Sequence, residues 1–250
     1  MHSVSRRQRE LIQRDATILQ AAQEILSEDG YYGLTMERVA RKSSLPKGTI
    51  YLRFGCKEDV VLALAERAVR KRVEMMQRGA AFLGRSRERI LAIGEAVGLF
   101  LTLYPAESRV IHTAMGPLRE KASPERVAAL VQVETEAMEI LRGVLRGAIE
   151  AQDLVLQGDT TLEEILLGTW GLVDGAQVLI ESGAPQRSLG IQEPLRSVWR
   201  YFNVVADGYG WRPLFSEWDY EQSLSRVRRE IFPEEVRQAC ANSAWYGSGR

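Results

Sequence analysis

Thr35-Met36-Glu37-Arg38-Val39-Ala40-Arg41-Lys42-Ser43-Ser44-Leu45-Pro46-Lys47-Gly48-Thr49-Ile50-Tyr51-Leu52-Arg53-Phe54-Gly55-Cys56-Lys57 decides the reading of this chain. Two short helical patterns flank a polar break at Ser43-Ser44. Thr35 can cap the first pattern, because its hydroxyl accepts from an otherwise unpaired amide one turn in. Val39 and Ala40 then face inward. Pro46, with no amide hydrogen and a fixed φ, suits the start of the second pattern. That pattern carries Ile50 and Phe54 inward, four residues apart, and leaves Lys47, Thr49, Tyr51 and Arg53 outward. Two helices joined by a tight turn, the second with a donor-rich outer face, are the signature of a helix-turn-helix. In that motif the second helix lies in the DNA major groove.

This stretch and the helix before it resemble the TetR family of transcriptional regulators, from Asp15 to about Leu64. Asp15-Ala16-Thr17-Ile18-Leu19-Gln20-Ala21-Ala22 is similar to the family's first helix. Gly30-Tyr31-Tyr32-Gly33-Leu34-Thr35 is similar to its connection into the second. Lys47-Gly48-Thr49-Ile50-Tyr51 and Phe54-Gly55-Cys56-Lys57-Glu58 are similar to the recognition helix and the entry to the fourth helix. Three positions depart from the pattern. Ser44 stands at a usual glycine, Pro46 at a usual serine cap, and Leu52 where an aromatic or polar residue is common.

The candidate DNA contacts are Thr35, Lys47, Gly48, Thr49, Tyr51, Leu52, Arg53 and Lys57. Lys47 or Thr49 is the candidate for a base contact, Tyr51 for a phosphate or sugar contact. Leu52 could touch a thymine methyl, the one apolar feature of the major groove. Gly48 lets the helix backbone approach the duplex closely. Thr35 and Lys57 sit at helix starts, where amides and dipole favour a phosphate. A cationic helix face without the family pattern would read as a solvated surface.

Charge supports the polyanion reading weakly. The chain of 250 residues carries 33 Lys and Arg against 33 Asp and Glu. Through Arg72 there are fourteen basic residues to nine acidic ones; from Val73 onward, nineteen to twenty-four. A basic amino-terminal part suits a protein that meets nucleic acid with one end. Two cysteines, Cys56 and Cys240, make no disulfide framework, which fits a reducing compartment. The apolar stretch Ile90 to Tyr104 is too short to span a bilayer and contains Glu95. With no apolar signal core at the start, the expectation is a cytoplasmic protein that meets no membrane.

Helical periodicity continues along the rest of the chain with no credible strand alternation, so the expected fold class is all-α. Met1 to Arg9 reads as either a DNA-tracking arm or a solvated tail. Helices are expected over Arg9 to Glu28, Lys57 to Ala80, Ser86 to Tyr104 (ended by Pro105), Ser123 to Ala151, and Thr161 to Ser182. Two more fall at Ile191 to Asp207 and Tyr220 to Ile231, and a last one at Pro233 to Cys240, with fraying from Asn242. The expected organisation is a helix-turn-helix domain over 1–56, a connecting helix over 57–80, an effector-binding and dimerisation domain over 81–210, and a carboxy-terminal extension over 211–250. After Gly210 the extension could cover a pocket or extend an interface.

Gly168, Gly171 and Gly175 fall at i, i+3 and i+7 of one helix. Glycine costs about 1 kcal/mol against alanine in a helix interior, so a stripe of three calls for a reason. Close approach of another helix is one; a glycine-lined cavity is the other. The resemblance implies a dimer through the last two core helices, here around Gly168, Gly171, Gly175, Val198 and Phe202. It also implies an effector pocket, for which Phe100, Tyr104, His112, Met115, Met138, Trp170 and Asp174 are the candidates. Each could equally be ordinary core.

Nothing points to an enzyme. The histidines are His2 and His112, no HExxH pattern occurs, and no phosphate-binding glycine loop follows a strand. No catalytic residue, metal or cofactor is expected. Cys56, at a helix start, could be a redox sensor or an inert replacement for a cap. The function implied is a homodimeric repressor on a pseudo-palindromic double-stranded operator, released by a small, mostly apolar effector. The alternative is a DNA-binding adaptor or activator that answers to a protein partner.

Overall fold

The computed structural model describes residues 6–242; residues 1–5 of the expected arm and the last eight residues of the expected frayed tail lie outside them. Of the stretch Met1 to Arg9, read as an arm or a tail, Arg6 to Arg9 instead open a helix, and Asn242, read as the start of fraying, ends one. Among the described residues there are twelve α-helices and no strand. In chain order they are α1 (Arg6–Gly33), α2 (Met36–Ser43), α3 (Lys47–Arg53), α4 (Lys57–Ala80), α5 (Ser86–Leu103) and α6 (Pro105–Thr113). A 3-10 turn, Gly116–Lys121, leads to α7 (Pro124–Glu150). Then come α8 (Leu162–Glu181), α9 (Ala184–Leu189), α10 (Pro194–Gly208), α11 (Tyr220–Glu230) and α12 (Pro233–Asn242). The chain divides into two compact units. One runs up to Lys71 and includes Pro105–Glu134; the other holds Arg72–Tyr104 and everything from Thr135 on. The grouping therefore interleaves along the chain, where a collinear order was the expectation.

In the first unit α1 to α3 close around Ile18, Ala22, Ile25, Val39 and Ile50, all buried. Gly30 breaks α1 with φ 66°, a conformation that L side chains rarely adopt, so the helix is interrupted there and the chain turns through Tyr31 to Gly33. Thr35 caps α2 as expected, its hydroxyl accepting the Arg38 amide at 3.2 Å. The turn to α3 passes through Ser44 at φ 56°, in the left-handed region, and the Leu45 amide reaches back to the Ala40 carbonyl at 3.2 Å. Pro105 differs from expectation: it ends α5 but also opens α6, its missing amide being harmless at a first helical position.

In the second unit α5 is buried along most of its length, from Ser86 to Phe100, with Gly94 exposed and Arg89 half-buried. Against it, α4 comes close at Gly79: a Cβ there would stand 2.6 Å from the Ala92 carbonyl oxygen, so nothing larger than glycine fits. Helix α8 starts with the expected capping box. The Thr161 amide donates to Glu164 at 2.7 Å, and the Glu164 amide donates to the Thr161 hydroxyl at 3.2 Å. The six-residue α9 lacked a readable sequence period.

The extension after Gly210 is fastened to α5 by Arg87, whose side chain is fully buried. Its guanidinium donates to Asp207 (2.6 Å) and to the carbonyls of Trp211 (2.7 Å), Pro213 (2.9 Å) and Asn203 (2.8 Å). Trp211, also buried, donates from its indole to Ser86 at 3.0 Å. Helices α11 and α12 then pack on α5, with Ser223 donating to the buried Glu88 carboxylate at 2.7 Å.

Candidate functional site

Two features of the structure can do chemistry of recognition, one in each unit. In the first, α3 anchors itself through Ile50 and the following Phe54, both essentially sealed from solvent, and turns its other face out. Leu52 is 85% exposed and Tyr51 47%. Lys47 and Gly48 are exposed and Thr49 is half-buried. A Cβ on Gly48 would meet nothing within 4 Å, so no internal contact asks for glycine there.

The cations of this face are paired with acids from neighbouring helices. Lys47 Nζ lies 3.2 Å from Glu37 of α2, and both side chains are more than half exposed. The Glu37 carboxyl is held below the usual carboxylate range by its own backbone amide and by Lys47. Arg53 departs from the outward placement expected of it. It grips Asp15 of α1 with two nitrogens, its Nε at 2.6 Å from Oδ1, and both side chains are about seven-tenths covered. Arg53 therefore ties α3 to α1. The Lys57 ammonium sits 4.1 Å over the Tyr31 ring. Tyr31 in turn donates to Glu58 at 2.5 Å, and burial together with that carboxylate pushes its hydroxyl up to about 12. Thr35 is exposed but its hydroxyl is engaged as the α2 cap. Burial pushes the Cys56 thiol up, against the activation that a helix start would give a redox sensor. Sequence reasoning missed Glu37 and Asp15, because a pairing of acid and base across two helices leaves no periodic trace.

The second unit encloses a cavity of about 500 Å³, within the range of small-ligand sites. Its walls come from the end of α4, from α5, from the second half of α7, and from α8, α10 and α11. Of the seven candidate pocket residues, Met138, Trp170 and Asp174 line it. Phe100 and Tyr104 pack on each other instead, ring centroids 5.6 Å apart, away from the lining. His112, in α6, and Met115, just after it, belong to the first unit and take no part in the lining. The reason is that α5 is buried around most of its circumference, so period alone marks its core but not which side meets the void. Gly94 does: a Cβ there would meet nothing within 4 Å, and the residue lies on the wall.

Val198 and Phe202, expected at a dimer contact, also face the cavity. The outward stripe of α10 is Tyr201, Val204, Val205 and Gly208. On α8, Gly168, Gly171 and Gly175 are exposed with open space where their Cβ atoms would be, flanked by exposed Leu167, Val178 and Leu179. Helices α8 and α10 pack together, and these exposed apolar residues lie uncovered among the described residues.

Polar groups reach the cavity from several walls: Glu95 of α5, Gln177 of α8, Arg196 of α10, and Glu221, Ser225 and Arg228 of α11. The extension thus supplies a wall. Of the polar lining, Asp174 is among the sequence candidates, whereas Glu95 reads in the sequence only as an acid that interrupts an apolar run. Among the described residues no group of His, Cys, Asp and Glu could hold a metal ion, and no single helix is long and apolar enough to cross a membrane.

Comparison with known proteins agrees with this geometry. Residues 18–64 match the family model described as bacterial regulatory proteins, tetR family. A fatty acid metabolism regulator protein of Bacillus subtilis is 22% identical over 153 residues, 61% of this chain and 77% of the relative. The crystal structure of the TetR-family regulator PfmR from Thermus thermophilus superposes with a TM-score of 0.57 at 16% identity, over 75% of this chain and 96% of that one. The fatty acid degradation regulator FadR from Bacillus halodurans gives 0.58 at 17% identity, over 74% and 95%. At these identities the structural likeness establishes the fold.

Proposed function

We propose, from the premise that residues 18–64 are a TetR-family domain and that the chain takes the fold of TetR-family regulators, that this protein is a homodimeric repressor released from its operator by a small, mostly aliphatic effector. The observation that carries the reading is the pairing of an outward, cationic α3 with an enclosed, largely apolar cavity in the same chain. Lys47, Gly48, Thr49, Tyr51 and Leu52 would meet the major groove, with Thr35 and Lys57 on flanking phosphates. Arg53 would orient α3 through Asp15 rather than touch DNA. In a dimer the two recognition helices would read half-sites about 34–36 Å apart, or a multiple of that.

The second copy would cover the apolar face of α8 and α10, where the glycine stripe lets helices approach closely. The relatives named for fatty acid metabolism and degradation support an aliphatic effector. Helix α4 is continuous from Lys57, a candidate phosphate contact, to Arg72 and Met76 on the cavity wall, and would carry the response. An effector shifts DNA binding only by its difference in affinity between the two forms.

The test is a gel shift on genomic fragments retained by the protein. Lys47→Ala with Tyr51→Ala should weaken binding by roughly a hundredfold, in line with the loss of two contacts of 1–3 kcal/mol each, while the dimer persists in sedimentation. Gly171→Leu should dissociate the dimer. Unchanged affinity in the double variant would remove the proposed DNA face.

A further inference from the structure

Resting on the effector reading above, we propose that the Glu95–Arg228 pair is the specificity-determining element of the cavity, admitting an effector with an uncharged polar end and turning away one that ends in a free carboxylate. Arg228 comes from the extension. Glu221, Leu224, Ser225 and Arg228 all line the cavity, and they fall at i, i+3, i+4 and i+7 of α11, one face of a helix. That face is a wall of the site.

The pair is closed at two points. Arg228 Nε stands 2.8 Å from Glu95 Oε1 and its Nη2 3.3 Å from Oε2. The Glu95 side chain is only 7% exposed, in the middle of the apolar α5, whereas Arg228 keeps 38%. Four carboxylates line the cavity (Glu95, Asp174, Glu193, Glu221) against three guanidiniums (Arg72, Arg196, Arg228). Arg196 lies 3.5 Å from both Glu193 and Glu221. An anionic head therefore meets a wall whose acids already outnumber its bases. To take the Nε–Nη2 edge of Arg228 in a two-point clasp it must displace Glu95, and a carboxylate only 7% exposed is costly to leave without its cation. An uncharged hydroxyl or ester avoids this. The Glu95 oxygens keep lone pairs beyond those given to Arg228, so a hydroxyl can donate to the closed pair without parting it.

Trp170 and Trp199 line the same cavity and report binding by their fluorescence. Decan-1-ol and decanoate, equal in chain length, are titrated into the full chain. The wild type should bind the alcohol at least about tenfold more tightly. Glu95→Gln should reverse that order, with decanoate gaining about tenfold or more and the alcohol holding within roughly threefold. Glu95→Gln combined with Arg228→Gln, which strands no charge, should lose the gain for decanoate. A wild type that binds both probes equally, or a Glu95→Gln variant that moves both alike, overturns the proposal and leaves the effector reading standing. Binding of neither probe to the wild type, with no release of DNA, overturns both.

Discussion

Lys47–Glu37 and Arg228–Glu95 are the same chemical pair in two settings. Each joins a cation to a carboxylate on another helix, at 3.2 Å and 2.8 Å. The first is open to water on both sides: its lysine is 59% exposed and its acid 51%. Such a pair is worth little and is screened by salt, so a phosphate can take the lysine almost freely. In the second the acid is only 7% exposed, and parting the pair would leave a deeply buried, poorly hydrated charge without its cation. On the function proposed above, the one pair is a holding place for a residue that would work elsewhere; the other is part of a wall. Burial of the acid, not the identity of the partners, separates a contact that exchanges from one that stays.

The sharpest way to break this comparison is to remove a cation that is wholly on the sealed side. Arg87, with no exposed side-chain surface, holds Asp207 and the carbonyls of Asn203, Trp211 and Pro213. Arg87→Met should destabilise the second unit by about 3–5 kcal/mol, since it strands those acceptors. The emission of Trp211, which is buried, reports loosening of the extension on thermal unfolding. A melting curve equal to wild type would mean that apolar packing, not the buried ion, holds α11 and α12.

A smaller effect sharpens the exposed side. Glu37→Gln should leave stability unchanged and raise affinity for DNA of any sequence by roughly threefold at low salt, because an acid that competes with phosphate for Lys47 is gone. The gain should vanish as salt rises. Fluorescence anisotropy on a random duplex measures it. No gain at low salt would show that Lys47 reaches DNA without leaving Glu37, or not at all.

The helix-turn-helix was legible because its signals are local. A capping threonine, an apolar pair four apart and a proline at a helix start each act within one turn, and Thr35, Ile50 with Phe54, and Pro46 sit where those signals place them. The cavity was legible only in part. Met138, Trp170 and Asp174 belong to it, but Phe100 packs elsewhere on a helix that is buried nearly all round, and Val198 and Phe202 face the void rather than outward. Which buried face meets empty space depends on how distant helices stack, and no period records that. For the extension the sequence left two roles open, a pocket cover or an interface, and could not choose, since Arg87 and Trp211, 124 residues apart, meet only in three dimensions.

The smallest effect concerns the turn that aims α3. Ser44 sits at φ 56°, where a Cβ crowds the backbone and where glycine would be at ease. Ser44→Gly should stabilise the first unit by about 0.5–1 kcal/mol, the relieved strain being partly offset by the greater freedom of glycine in the unfolded chain. The carbonyls of Ala40 and Arg41 accept the Ser44 amide, and that of Ala40 also accepts Leu45, so the substitution keeps every backbone bond of the turn. A rise in the unfolding midpoint with unchanged operator affinity would make the strain incidental. A rise accompanied by weaker binding would mean that the serine holds α3 at an angle the relaxed turn gives up, and Ser44 would then join Arg53 as a residue that aims the helix without touching DNA.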